Sequence, residues 1–227
     1  MKQAIIVFFF ISSYLNGQHL LPQPKELNFN EGQFFIGSNI KVRVTNPSLK
    51  LNNYTKRFIR RLQYNSGVNF LHHEVQDTIS PYEIVIKTNS TIEAIEIATN
   101  ESYAIKVTSN KVFISAENNI GAYRAIETLL QLITTSKKGS FFKNCHIIDE
   151  PRFKWRGLLI DVCRHWIPPH IIKRNIDAMA AVKLNVLHLH LTEDQGFRIE
   201  SKKFPKLHEL GNDGNYFTQE GIKDIIH

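Results

Sequence analysis

The chain has 227 residues, with 28 Lys and Arg against 21 Asp and Glu, for a formal charge of +7. That length holds one large domain or two smaller ones with a core each. The two cysteines, Cys145 and Cys163, exclude a disulfide-dense scaffold and a metal site built of thiolates, and leave open only whether they pair with each other.

Lys2 is followed by the apolar block 4–11, then by Ser12, Ser13, Asn16 and Gly17. A charged start, a short apolar block and small or polar residues follow the order of a secretory signal peptide, and the block is too short to cross a bilayer. Residues 1–17 are therefore expected to be a leader cleaved near Gly17/Gln18, although Leu15 is a poor residue for that site. The expected location is periplasmic or extracellular, or a lysosome-type lumen in a eukaryote. No later segment has the apolar run of a membrane span. Export also separates the chain from nucleic acid. The basic run Lys56-Arg57-Phe58-Ile59-Arg60-Arg61 then reads as the solvated face of an amphipathic helix, with Leu51, Phe58 and Leu62 on its apolar side.

Residues 18–149 read as a mixed α+β unit. Strands are expected at 34–36, 40–44 and 82–87, with a helix over 49–64. Tyr103, Ile105 and Val107 alternate with polar or small residues, as do Val112, Ile114 and Ala116 beyond Ser109-Asn110, the pattern of a hairpin. Ala122, Ile126, Leu129, Leu130 and Ile133 share one face of a second helix, expected to stop at Lys137-Lys138-Gly139. Strands with packed helices give a small α+β sandwich.

The texture changes at Asp149-Glu150-Pro151, so a second unit is expected over 150–227. Residues 156–162 form a nearly continuous apolar run, as do 185–191, and both read as strands buried on two faces. Pro168-Pro169 opens a helix between them, with Ile172, Ile176, Met179 and Ala180 as its stripe. Another helix begins at Thr218-Gln219-Glu220. This strand–helix–strand–helix order is the opening of a parallel α/β fold. Two parallel strands cannot bury both faces of a sheet, so this unit is expected to be incomplete.

In a parallel barrel, function sits past the C-terminal strand ends. That rule selects Asp161, Arg164 and His165 after the first strand, and Glu193, Asp194 and Gln195 after the second. An Arg fork with carboxylates suits a polyhydroxylated ligand; the plainer reading is an interstrand salt bridge. His188 and His190 point to the same strand face, which suits either a metal-dependent hydrolase or two hydrogen-bonded strand histidines. Trp155 and Trp166 offer a stacking surface for a sugar, or simple packing.

The runs 153–166, 176–180 and 183–198, together with Phe204-Pro205-Lys206-Leu207, resemble the first two barrel strands of glycoside hydrolase family 20, the β-N-acetylhexosaminidases. Leu21-Pro22-Gln23-Pro24 and 121–132 are similar to the start and last helix of that family's non-catalytic α+β domain. The resemblance implies an α/β fold: a small N-terminal domain over 18–149, then the first two strand–helix units of a (β/α)8 TIM barrel. It implies an exo-acting enzyme on terminal β-linked N-acetylglucosamine or N-acetylgalactosamine, such as chitooligosaccharide or glycoconjugate ends, with no cofactor and no metal. The substrate's own acetamido oxygen would attack the anomeric carbon with retention. The general acid Glu and its neighbouring Asp follow the family's fourth strand, so no catalytic residue is expected within this chain, and alone it is expected to be inactive. Arg164 would hold the outer hydroxyls of the sugar. Glu193 stands where the family usually has Asp and would support the acid with a His from a later strand; Asp194, Asp161 and His190 would complete the support. Phe197 and Leu189 stand where Trp is common. Alternatives are a non-enzymatic sugar-binding or scaffold module and the metal-dependent hydrolase using His188 and His190.

Overall fold

The computed structural model describes residues 20–76, 79–80 and 83–226. The expected leader and the strand start at Tyr82 lie outside them.

The first part is a seven-stranded mixed sheet carrying two helices. Its elements in chain order are β1 (Glu26–Phe35), β2 (Lys41–Val44), α1 (Leu49–Ser66), β3 (Glu83–Ser90), β4 (Tyr103–Val107), β5 (Lys111–Asn118), α2 (Asn119–Gln131), β6 (Thr134–Ser136) and β7 (Gly139–Asp149). The strands run in the order β1-β7-β4-β5-β3-β2, with β6 paired to β7. The pairs β2–β3 and β3–β5 are parallel, and the rest are antiparallel. Alternate residues such as Val42, Ile84, Ile86, Ile105, Ile114 and Ile147 meet Leu51, Phe58 and Leu62 of α1 and Ile126 and Leu129 of α2 in one core. Each large side chain buried there is worth about 1.5–3 kcal/mol.

Both helices have clear ends. Ser48 caps α1 by accepting from the Leu51 N–H at 3.2 Å, and Gly67, with φ 69°, closes it in the left-handed conformation. Asn118 caps α2 through the Ile120 and Gly121 N–H groups. Gly121 must be glycine, because a Cβ there would lie 2.4 Å from the Ser102 carbonyl oxygen.

Four expectations change. α2 ends at Gln131, not at Lys137-Lys138-Gly139, which forms the turn of the β6–β7 hairpin; Gly139 has φ 116°, and Thr134 pairs with Phe141. The β-branched Thr134-Thr135 pair favours a strand and ends the helix early. β7, the longest strand, was not expected at all, and β1 starts well before Phe34. The basic face of α1 is more than solvated: Arg61 grips both oxygens of buried Glu127 at 2.5 and 2.8 Å, and Arg57 reaches Asp177 at 3.1 Å.

The second part holds β8 (Gly157–Asp161), α3 (Pro169–Ala181), β9 (Val186–His190), β10 (Thr192–Glu193), β11 (Gly196–Phe197), α4 (Lys206–Leu210) and α5 (Gln219–Ile226). β8 and β9 pair in parallel, and β10 and β11 form a short hairpin. Ile160, Val162, Leu187 and Leu189 face Ile172 and Ile176 of α3, Ile222 and Ile225 of α5, and Phe217. The two strands are not buried on both faces as expected. Leu159 is 57% exposed and His188 is exposed, because α3 and α5 cover the same side of the pair.

Buried charge joins the two parts. Glu101 accepts from Arg124 Nε at 2.5 Å and from Arg156 Nη2 at 2.6 and 2.8 Å. Beside it the Lys183 amine donates to the Tyr103 hydroxyl at 2.6 Å and to Asp149 at 3.0 Å, while Tyr103 donates to the same carboxylate at 2.5 Å. Lys183 follows α3 with φ 62°, a conformation that usually selects glycine. The turn it makes is well bonded, with Lys183 N–H to Ala180 O at 3.0 Å and Leu184 N–H to Met179 O at 2.8 Å. A cavity of about 890 Å³ opens beside this joint.

Burial pushes the Lys183 amine below its ordinary pKa, with Asp149 opposing the shift. Removing the amine strands a buried carboxylate, so Lys183→Met should cost about 3–5 kcal/mol in urea unfolding; a loss under about 1 kcal/mol would contradict the buried pairing. For Glu101, burial pushes the carboxyl up, but Arg156 and Arg124 outweigh it and hold the pKa below 4.5. The folded chain thus keeps this carboxylate ionised where the unfolded chain protonates it. Its stabilisation is complete above about pH 4.5 and is lost as pH falls through the lower folded value. Melting temperature should drop along that acid limb, and Glu101→Gln should flatten it.

Candidate active site

Asp161 and His190 are the last residues of β8 and β9 and lie opposite each other in register. On a parallel pair this puts both at one edge, where the following loops rise. The Asp161 carboxylate folds the loop after β8 by accepting the Cys163 and Arg164 N–H groups at 3.0 and 3.1 Å. Arg164 then turns back, with Nη1 2.8 Å from Asp161 Oδ2 and Nη2 3.3 Å from Glu193 Oε2. Glu193 ends β10, and the same Oε2 lies 2.9 Å from His190 Nε2. Four of the residues selected from the sequence therefore form one chain of contacts, Asp161–Arg164–Glu193–His190.

Asp161 is held below its ordinary carboxylate pKa, first by the Arg164 backbone N–H and less by the Arg164 side chain. Arg164 is 57% exposed along its side chain. Exposed ion pairs contribute about 0–1 kcal/mol to stability. The cluster is thus a weak stabiliser but a fixed array of donors and acceptors open to a polar ligand.

The other selected residues stand apart. Asp194 and Gln195 form the exposed turn between β10 and β11, and His165 is exposed beside Arg164. His188 sits two residues below His190, opposite Leu159. Among the described residues, no group of three or more His, Cys, Asp or Glu side chains is placed to hold a metal ion. Trp166 packs against Phe217, ring centres 4.5 Å apart. Trp155 precedes β8, at the end of the strand opposite to Asp161. The cavity at the joint also lies toward that opposite end, and its buried charges are bonded to one another. Both cysteines are buried and unpaired.

One residue that sequence reasoning passed over is built into this edge. Arg198 is 3% exposed, and its guanidinium donates to the Cys163 carbonyl, the Asn215 carbonyl and Asp213. Only its place in the run 183–198 could have drawn attention to it, since its partners are far away in sequence.

A family model described as "Glycosyl hydrolase family 20, domain 2" matches residues 17–150, and one described as "Glycosyl hydrolase family 20, catalytic domain" matches residues 153–227. The chain belongs to glycoside hydrolase family 20. Its relatives in the family include a β-hexosaminidase of Porphyromonas gingivalis, 32% identical over 95% of this chain and 29% of that protein. The β-hexosaminidase subunit beta of Homo sapiens is 36% identical over 89% of this chain and 38% of that protein. The crystal structure of a Flavobacterium johnsoniae chitobiase superposes with a TM-score of 0.84 at 40% identity, covering 91% of this chain and 32% of that one. An exo-β-N-acetylglucosaminidase of Vibrio harveyi in complex with N-acetylglucosamine superposes with a TM-score of 0.74 at 28% identity, covering 91% and 33%. The family 20 chain thus has an α/β fold similar to these enzymes, and spans less than half the length of each.

Because backbone N–H groups do most of the work at Asp161, Arg164→Ala should raise the Asp161 pKa only part of the way to 3.8. A carbon-detected NMR titration checks this; full recovery would mean that the loop itself had opened.

Proposed function

We propose that this chain forms the non-catalytic domain and part of the sugar-binding mouth of an exo-acting β-N-acetylhexosaminidase. The observation that carries the reading is the contact chain Asp161–Arg164–Glu193–His190 at one edge of a parallel strand pair, in a family 20 protein. In this reading residues 18–149 are one domain, and β8–α3–β9–α5 are the first two units of a (β/α)8 barrel whose mouth is that edge. An exported chain, led by residues 1–17, fits the same picture. The substrate is a glycan with a terminal β-linked N-acetylhexosamine; the Vibrio harveyi neighbour, described in complex with N-acetylglucosamine, supports that class.

Each residue has a role that follows from its chemistry. Arg164 donates from its exposed fork to neighbouring hydroxyls of the terminal sugar. Asp161 anchors the Arg164 backbone and neutralises part of its charge. Glu193 lies between Arg164 and His190 and orders both; its extra methylene relative to Asp lets one oxygen meet both partners. Asp194 is carried on the adjacent turn as a second carboxylate. Bond cleavage in this family uses the sugar's acetamido oxygen as nucleophile, so the protein needs a general acid and a carboxylate to orient that group. No residue within 1–227 matches either.

N-acetylglucosamine titrated to millimolar concentration should shift the Arg164 Nε–H resonance of the 227-residue chain. Arg164→Ala should weaken binding by about 1.5–3 kcal/mol, the worth of hydrogen bonds to a charged group. Binding that survives this change would remove Arg164 from the mouth. The same chain should release no nitrophenol from an aryl β-N-acetylglucosaminide; turnover would overturn the assignment of roles.

A further inference from the structure

We propose that Arg198 is a positioning residue for the sugar grip, fixing the Cys163–Arg164 peptide from which the Arg164 side chain reaches out. The proposal rests on the reading of Arg164 as the hydroxyl-binding arm. Arg198 follows β11 and is held by its own backbone, its N–H bonding Leu191 O and its carbonyl accepting from Phe217 N–H, both at 2.8 Å. From that fixed base Nε and Nη2 both donate to the Cys163 carbonyl, at 3.2 and 3.1 Å. Nη1 donates to Asn215 O at 3.0 Å and to the Asp213 carboxylate.

The Cys163 carbonyl belongs to the same peptide plane as the Arg164 N–H. That N–H donates to Asp161 Oδ1 at 3.1 Å. The plane is therefore held at both ends, by a buried fork on its oxygen and by a carboxylate on its hydrogen. A planar peptide held at two points has little freedom to rotate, so the direction in which Arg164 leaves the backbone is set.

Two further details fit this arrangement. The Cys163 thiol donates to Gly196 O at 2.8 Å, tying the same loop to the hairpin that carries Glu193. Gly196 has no side chain, and a Cβ there would sit 3.1 Å from Arg198 Nε and 3.3 Å from its Cζ, so the glycine leaves room for the guanidinium. Lysine at 198 could not straddle one carbonyl while reaching Asn215 and Asp213 as well.

The test follows Arg164 in the labelled full chain without sugar, and then titrates N-acetylglucosamine. Arg198→Lys is expected to move the Arg164 Nε–H resonance, to raise the Asp161 pKa by loosening the Arg164 N–H bond, and to weaken sugar binding at least tenfold. Asp213→Asn provides the second arm. Asp213 is 62% exposed along its side chain and, among the described residues, bonds only Arg198 and Asn215. It should shift the same Arg164 resonance in the same direction by a smaller amount, with thermal stability close to that of the parent. If Arg198→Lys does not fold, Asp213→Asn decides alone. An unmoved Arg164 resonance and an unmoved Asp161 titration in the folded variants overturn the positioning role, even where sugar binds. A wild-type chain whose Arg164 ignores sugar, yet responds to both substitutions, overturns the sugar reading and supports the positioning.

Discussion

The joint between the seven-stranded sheet and the β8–β9 pair is made of charge taken out of water. Glu101 lies between Arg124 and Arg156, and Lys183 lies against Tyr103 and Asp149. Desolvating such groups is expensive, and a buried ion pair returns little net stability over an apolar contact of the same size. What it supplies is direction. An apolar interface tolerates sliding; a guanidinium fork on a carboxylate does not. Arg156 immediately precedes β8 and Lys183 lies two residues past the end of α3, so both ends of the first β–α unit are fixed against the sheet. The joint sets how β8, which leads to the C-terminal edge, sits against the sheet.

At that edge the electrostatics are arranged in the opposite way. Asp161, Arg164, Glu193 and His190 are half-exposed or exposed, so their attractions are screened and contribute little to folding. Order there comes from the backbone and from a buried group behind it: the Asp161 carboxylate on two N–H groups and Arg198 on the Cys163 carbonyl. If Arg164 is the ligand-binding arm proposed above, a ligand meeting it finds the side chain already aimed. It loses less conformational freedom on binding than it would at a loose loop.

The gathering of charged residues at the strand ends was legible from the sequence because it follows local rules. Two apolar runs separated by a helical stripe place Asp161 and Glu193 at one edge, and helix α1 is announced by the spacing of Leu51, Phe58 and Leu62. The hairpin of β4 and β5 shows as plain alternation. β7 was hidden because Lys143, Asn144 and His146 interrupt its apolar residues, and its pairing with β1 shifts register between Phe29 and Gln33. The open face of β8 and β9 could not be told from Leu159 itself, since an apolar residue states a preference for burial but not what packs on it. Arg198, Glu101 and Lys183 were hidden for a different reason. Each is defined by partners 15 to 84 residues away, and no local periodicity encodes such a contact.

Lys183 shows what this means for the way such a chain can change. Its backbone, at φ 62°, asks for glycine, while its surroundings ask for an amine long enough to reach Asp149. No one residue type meets both demands. Glycine relaxes the turn and abandons the carboxylate, and a neutral side chain keeps the left-handed turn without the charge. Relaxing the turn with glycine at 183 therefore leaves the buried Asp149 charge uncompensated unless position 149 changes as well.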